Sequence, residues 1–72
     1  MIDKLHCLDD KGLEWEWVCG KYDFHVQYDA EVGSWVLEQY KRRVRDPEKA
    51  HMDEAACESL QDALLFSLDP DR

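Results

Sequence analysis

Sixteen residues, 13–28 (LEWEWVCGKYDFHVQY), constrain most strongly what this chain can fold into. Leu13, Trp15, Trp17 and Cys19 alternate with Glu14, Glu16 and Val18. Beyond Gly20 and Lys21, Tyr22, Phe24, Val26 and Tyr28 alternate with Asp23, His25, Gln27 and Asp29. Period-two alternation over two consecutive runs predicts two half-buried strands joined by a tight turn. With Gly20 and Lys21 as the loop, Cys19 meets Tyr22, Trp17 meets Phe24, Trp15 meets Val26 and Leu13 meets Tyr28. All four pairs are apolar, so side-chain pattern and turn length specify the same register. The opposite face then carries Glu16 across from His25 and Glu14 across from Gln27. One side of this hairpin is aromatic and the other acidic.

The flanking segments extend this frame. Residues 2–8 predict a first strand, and Asp9, Asp10, Lys11 and Gly12 form a hairpin loop with acids opening the turn and glycine closing it. Whether Leu5 and Cys7 or His6 and Leu8 face inward depends on a bulge at Gly12, and both parities stay open. Residues 29–34 form the next loop. Residues 34–45 fit two templates. Trp35, Leu37 and Gln39 alternate with Val36, Glu38 and Tyr40, whereas Leu37, Tyr40, Lys41 and Val44 match a helical spacing with Ser34 as N-cap. The β-branched and aromatic content favours a strand, which sets Leu37 beside Val26 and Glu38 beside His25.

Further on, Asp46-Pro47-Glu48 is a helix start, an acceptor side chain before a proline at the first helical position, with Asp53 as an alternative start. Met52, Ala56, Leu60, Ala63, Leu64 and Leu68 recur at helical spacing, with Glu54, Glu58, Gln61 and Asp62 on the other side. Asp69-Pro70 ends this helix near Leu68. Its apolar stripe is the natural cover for the aromatic sheet face. The expected fold is therefore α+β: residues 1–72 as one small domain, a three- to four-stranded antiparallel sheet with one C-terminal helix packed on its aromatic face.

Composition narrows the function. The 72 residues carry 17 acids against 9 bases, a net charge of −8 with pI near 4.6, so nucleic acid and anionic membrane would repel the chain. Residues 1–40 hold nine acids and three bases, residues 41–49 two acids and five bases, and residues 50–72 six acids and one base. No stretch resembles a signal peptide or a membrane span, and the three cysteines, Cys7, Cys19 and Cys57, lack CxxC spacing. They read as reduced thiols of a cytoplasmic protein.

No catalytic motif is present: there is no nucleophile–base pair, no glycine-rich phosphate loop and no paired metal-ligand spacing. The chain reads as a non-enzyme without cofactor or metal. The candidate functional surface is the acidic sheet face, Glu14, Glu16, Asp23, Asp29 and Glu38, where carboxylates stand at strand spacings like the phosphates of nucleic acid. Glu54, Glu58 and Asp62 form a second acidic surface on the helix. The same face also reads as a solvated surface that keeps the protein soluble. His25 is expected in a charge-neutralising contact between Glu16 and Glu38. The basic patch Lys41, Arg42, Arg43, Arg45 and Lys49 is outweighed by acids and suits intramolecular pairing, or contact with a second copy, better than nucleic acid.

In size, acidity, lack of catalytic residues and a small antiparallel sheet with one helix, the chain resembles small phage-encoded inhibitors of bacterial defence, anti-CRISPR proteins in particular. The resemblance covers the whole chain at the level of class and carries over no residue, because those proteins share no motif. It implies a protein of the host cytoplasm that occupies a basic, DNA-recognising surface of a CRISPR effector complex, as a monomer or weak dimer. The alternative is a small interaction module, an antitoxin or adaptor subunit, that binds through exposed aromatics such as Trp35 and Tyr40 or through the basic patch.

Overall fold

The computed structural model describes residues 1–69. They form a compact α+β domain built on one antiparallel meander. In chain order the elements are β1 (Ile2–Cys7), β2 (Glu14–Cys19), β3 (Tyr22–Asp29), β4 (Ser34–Lys41), α1 (Pro47–Ala50), β5 (His51–Cys57) and α2 (Leu60–Leu68). The strands lie in sequence order, β1-β2-β3-β4-β5, and every pairing is antiparallel.

The central hairpin has the register that alternation dictates. Cys19 pairs with Tyr22, Trp17 with Phe24, Trp15 with Val26 and Glu16 with His25. The amide of Tyr28 donates to the carbonyl of Leu13 at 2.8 Å, which carries the ladder one step beyond β2. Gly20 opens the two-residue loop at φ +61°, the left-handed conformation that suits glycine at the first position of a hairpin turn. Residues 34–41 are a strand. Leu37 lies beside Val26 and Glu38 beside His25, as the alternating template requires.

The first strand resolves its open parity differently from either alternative. Ile2 is opposite Cys19 and Cys7 opposite Trp15, and the irregularity falls between Asp3 and His6 rather than at Gly12. One extra residue there, with Lys4 at φ +56°, puts both Ile2 and Cys7 on the aromatic side. Leu5 and Leu8 are left exposed.

The largest correction concerns residues 46–59. The helix does start at Asp46, whose carboxylate accepts from the Glu48 amide at 3.0 Å with Pro47 in the first turn. It ends after one turn at Ala50. Residues 51–57 then pair with β4, Trp35 with Cys57, Leu37 with Ala55 and Glu38 with Glu54. The sheet thus has five strands and the domain two helices, not one long helix on three or four strands. The physical reason is the ladder. Without β5, the far edge of β4 would leave its backbone groups unpaired beside the fully buried Leu37. Helix α2 starts only at Leu60, capped by the Ser59 hydroxyl, which accepts from the Asp62 amide at 3.1 Å. It ends at Leu68, and Pro70, expected to stop it, lies outside the described residues.

The core lies between the aromatic sheet face and α2, the layering that the two amphipathic elements require. Trp17, Phe24, Val26, Leu37 and Ala63 are all essentially inaccessible. Trp17 and Phe24 stack with ring centroids 5.9 Å apart, and Ala63 lets the helix sit close over them. The Trp17 indole N–H donates to Ser67 Oγ at 2.9 Å, and that hydroxyl donates to the Leu64 carbonyl at 2.7 Å. A tryptophan buried with its one polar atom satisfied contributes its full apolar area to the fold. The other side of the sheet faces solvent or a partner except near Val18, Asp23 and Tyr40, where residues 44–50 fold against it.

Candidate functional site

Strand register sets the outer face in rows. Asp3, Val18, Asp23, Tyr40 and His51 form one row across all five strands. His6, Glu16, His25, Glu38 and Glu54 form the next. Glu14, Gln27, Val36 and Ala56 form the third, and Asp29 follows at the end of β3. Adjacent strands are about 4.8 Å apart, so the second row is an ordered line of ionisable groups spanning the sheet.

The five carboxylates expected on this face, Glu14, Glu16, Asp23, Asp29 and Glu38, are all on it, but their circumstances differ. His25 Nε2 lies 2.6 Å from Glu14 Oε2, and its Nδ1 lies 3.6 Å from Glu38 Oε1. The expected partner Glu16 is directly opposite His25 in register, yet the ring turns to the diagonal neighbour Glu14 instead. Glu38 is the hub of the face. It accepts the Tyr40 hydroxyl, and its Oε2 is 3.8 Å from His51 Nε2, while the His51 ring meets Tyr40 edge-on with centroids 5.3 Å apart. The Tyr40 phenol is pushed up to about 12 by its hydrogen bond to the Glu38 carboxylate, by burial, and by the negative charges of Glu38 and Glu54.

Of the basic patch, Arg42 pairs within the molecule, its Nε 3.9 Å from Asp23, and it also donates to the Gly20 carbonyl at 3.3 Å. Asp29 holds the β3–β4 turn, accepting from the Glu31 amide at 3.0 Å and the Val32 amide at 3.4 Å. Glu16 is exposed, and among the described residues its side chain forms no hydrogen bond or ion pair.

The second acidic surface is corrected. Glu54 is on β5, opposite Glu38, and so joins the sheet face rather than a helix. Glu58 lies in the connection before α2, and Asp62 alone is helical, in the first turn. Burial, and after it the negative charge of Asp62, pushes the Cys57 thiol up. Cys7, Cys19 and Cys57 are all free thiols, with Cys19 buried. Among the described residues no group of three or more His, Cys, Asp or Glu side chains could hold a metal ion, and no helix is long and apolar enough to cross a membrane.

Two open depressions divide the face. One, of about 470 Å³, lies where the 44–50 segment folds against Val18, Asp23 and Tyr40, and Lys4 and Arg45 also line it. Acids and bases there offset each other. The other, of about 480 Å³, is bounded by Asp29, Glu31, Glu38 and Glu54 around Gln27 and Val36, with no basic side chain in its lining. The uncompensated negative charge is therefore concentrated at the β3–β4 loop end.

Sequence reasoning missed Asp3, His6 and His51 as members of this face. The first two depended on the β1 bulge and the third on β5 being a strand. The aromatics expected as contact residues are not exposed: Trp35 is half-buried edge-on against Tyr28, and Tyr40 is half-buried on Glu38. Compared with known proteins, the chain matches no family model, no curated protein and no solved structure.

Proposed function

We propose that this protein is a non-enzymatic inhibitor that docks its acidic sheet face on a basic, nucleic-acid-binding surface of a larger protein. The target class that the resemblance implies is a CRISPR effector complex. The observation that carries the reading is the convergence of Glu16, Glu38, Glu54 and Asp29 on one ordered face, with the carboxylates of Glu16 and Glu54 free of hydrogen bonds and ion pairs among the described residues. Like charges held opposite one another, as Glu38 and Glu54 are, cost stability. A basic groove shaped for phosphates would be drawn to such a face over long range and would bind it quickly.

The test is expression in a bacterium with an active CRISPR system, scored by recovery of plaques from a targeted phage. Alongside it, tagged protein is used for pull-downs at low and high salt. The wild-type protein should restore plaques and retain a basic effector subunit that is lost at high salt. The double reversal Glu16→Lys and Glu54→Lys should cut retention at least about tenfold while leaving the fold intact. Undiminished retention by that variant would remove the face from consideration.

One observation favours a second reading, an adaptor or antitoxin. Leu65 and Leu68, one helical turn apart on α2, are 58% and 51% exposed. A partner held there would survive high salt and be lost on Leu65→Asp.

A further inference from the structure

Among the described residues two that are not glycine adopt left-handed backbone, Lys4 at φ +56° and Arg43 at φ +67°. Both shape the same place. Lys4 lines the cleft of about 470 Å³ on the outer sheet face, and Arg43 immediately precedes residues 44–50, which fold against that face. We propose that this cleft binds a small organic anion, a carboxylate carried on an apolar body. The proposal goes beyond the docking reading and does not depend on it.

The backbone comes first. A residue with a Cβ pays free energy to be left-handed, and such strain persists where the surrounding structure demands it, commonly beside a ligand. On β1, Ile2 is opposite the buried Cys19 and Asp3 opposite Val18, so unbroken alternation would turn Lys4 inward. The bulge leaves Lys4 exposed and in the lining of the outer cleft. At the other end, Arg43 turns the chain out of β4, and Val44, Arg45 and Pro47 join the same lining. Two strained turns, far apart in sequence, thus build one cleft.

Its charge is balanced in number but not in contacts. Lys4, Lys41 and Arg45 line it against Glu16 and Asp23. Asp23 is engaged by Arg42, and His25, also in the lining, by Glu14 and Glu38. The side chains of Lys4, Lys41 and Arg45 form no hydrogen bond or ion pair among the described residues. Three free cations therefore stand against one free carboxylate, Glu16, on a chain whose net charge is −8. Val18, Val44 and Pro47 supply apolar lining. A cleft of several hundred cubic ångströms, with apolar walls and a few charged groups, is the general form of a small-molecule site, in which the walls give affinity and the charge selects. A bare inorganic anion would leave those walls unused, and an organic cation would meet three like charges.

The test titrates the intact protein with 2-naphthoate and follows its backbone amide resonances. Binding with a Kd of about 1 mM or tighter should shift the amides of Lys4, Val18, Lys41, Val44 and Arg45. Lys4→Gly removes a cation where the backbone already suits glycine, so the unfolding midpoint should hold or rise while affinity falls about threefold. Arg45→Gln should cost a similar factor and the two together about tenfold, whereas Lys11→Gln, in the β1–β2 loop, should cost nothing. 2-Naphthylmethylammonium, the same body with the opposite charge, should bind at least about threefold more weakly, and inorganic phosphate should bind more weakly still. Absence of saturable shifts at about 10 mM 2-naphthoate would overturn the proposal. So would shifts confined to the exposed Leu65 and Leu68 of α2, ammonium or phosphate binding as tightly as 2-naphthoate, or full affinity in the double variant. The acidic docking reading would survive each of these results, because Lys4 and Arg45 are not among its carboxylates, and salt-sensitive retention of a basic partner by the double variant reports on it separately.

Discussion

At the scale of single residues, the outer face is a set of local electrostatic contacts, and Tyr40 reports on them. Its hydroxyl donates to Glu38, and the phenol is pushed up to about 12 by that bond, by burial and by two nearby carboxylates. An unfolded tyrosine ionises near about 10. Between those values the unfolded chain releases a proton that the folded chain keeps. The native state is therefore favoured by Tyr40 below pH about 10, and that stability is lost as pH rises toward about 12. Tyr40→Phe should remove this alkaline loss and cost about 1 kcal/mol at neutral pH, the net contribution of a half-exposed hydrogen bond to a charged acceptor. Urea unfolding at neutral and alkaline pH checks both. An alkaline loss as steep in the variant as in the wild type would assign it to another group. Pairwise contacts of this kind were only partly legible. Glu38 and His25 as neighbours followed from alternation, but the choice of Glu14 over Glu16 is a side-chain rotamer, which no sequence pattern encodes.

At the scale of elements, legibility follows how much each segment's pattern depends on distant partners. The central hairpin and β4 were readable because their alternation, loop length and pairing agree. Residues 51–57 were not, because Met52, Ala56 and Leu60 match a helical period and alanine favours helix, while the strand exists only through pairing with β4. Even the bulge residue Met52 helps to disguise it, since it shifts the parity between Asp53 and His51. Both edge strands, β1 and β5, carry such an irregularity together with charged residues, a combination that discourages edge-to-edge aggregation. Ala56 decides the strand assignment by sign. It is exposed on β5 opposite Val36, so Ala56→Val should stabilise the protein by a few tenths of a kcal/mol through a cross-strand pair. In a helix the same change would destabilise by about 0.5 kcal/mol. The direction of the shift in urea midpoint separates the two.

At the scale of the whole molecule, one sheet serves two unlike environments. Its inner face, closed by α2, buries Trp17, Phe24, Val26 and Leu37, and its outer face holds most of the ordered charge. A domain of 72 residues has a small core, so charge repulsion on the open side weighs on total stability. The clearest such conflict is Glu38 opposite Glu54, two carboxylates in direct cross-strand register. Glu38 is engaged by Tyr40, His25 and His51, whereas the Glu54 carboxylate adds repulsion and has no hydrogen bond or ion pair among the described residues. Glu54→Gln should therefore stabilise the fold by about 0.5 kcal/mol, which for a domain of this size raises Tm by about 3 °C. If the face only kept the protein soluble, that gain would come without loss. On the docking reading, the same substitution should weaken capture of the basic partner, so that stability and binding move in opposite directions. Tm and salt-sensitive retention measured on the one variant therefore test the face as a whole. A variant that is both more stable and equally retained would mark Glu54 as a solubilising residue and confine docking to the Glu16 side of the sheet.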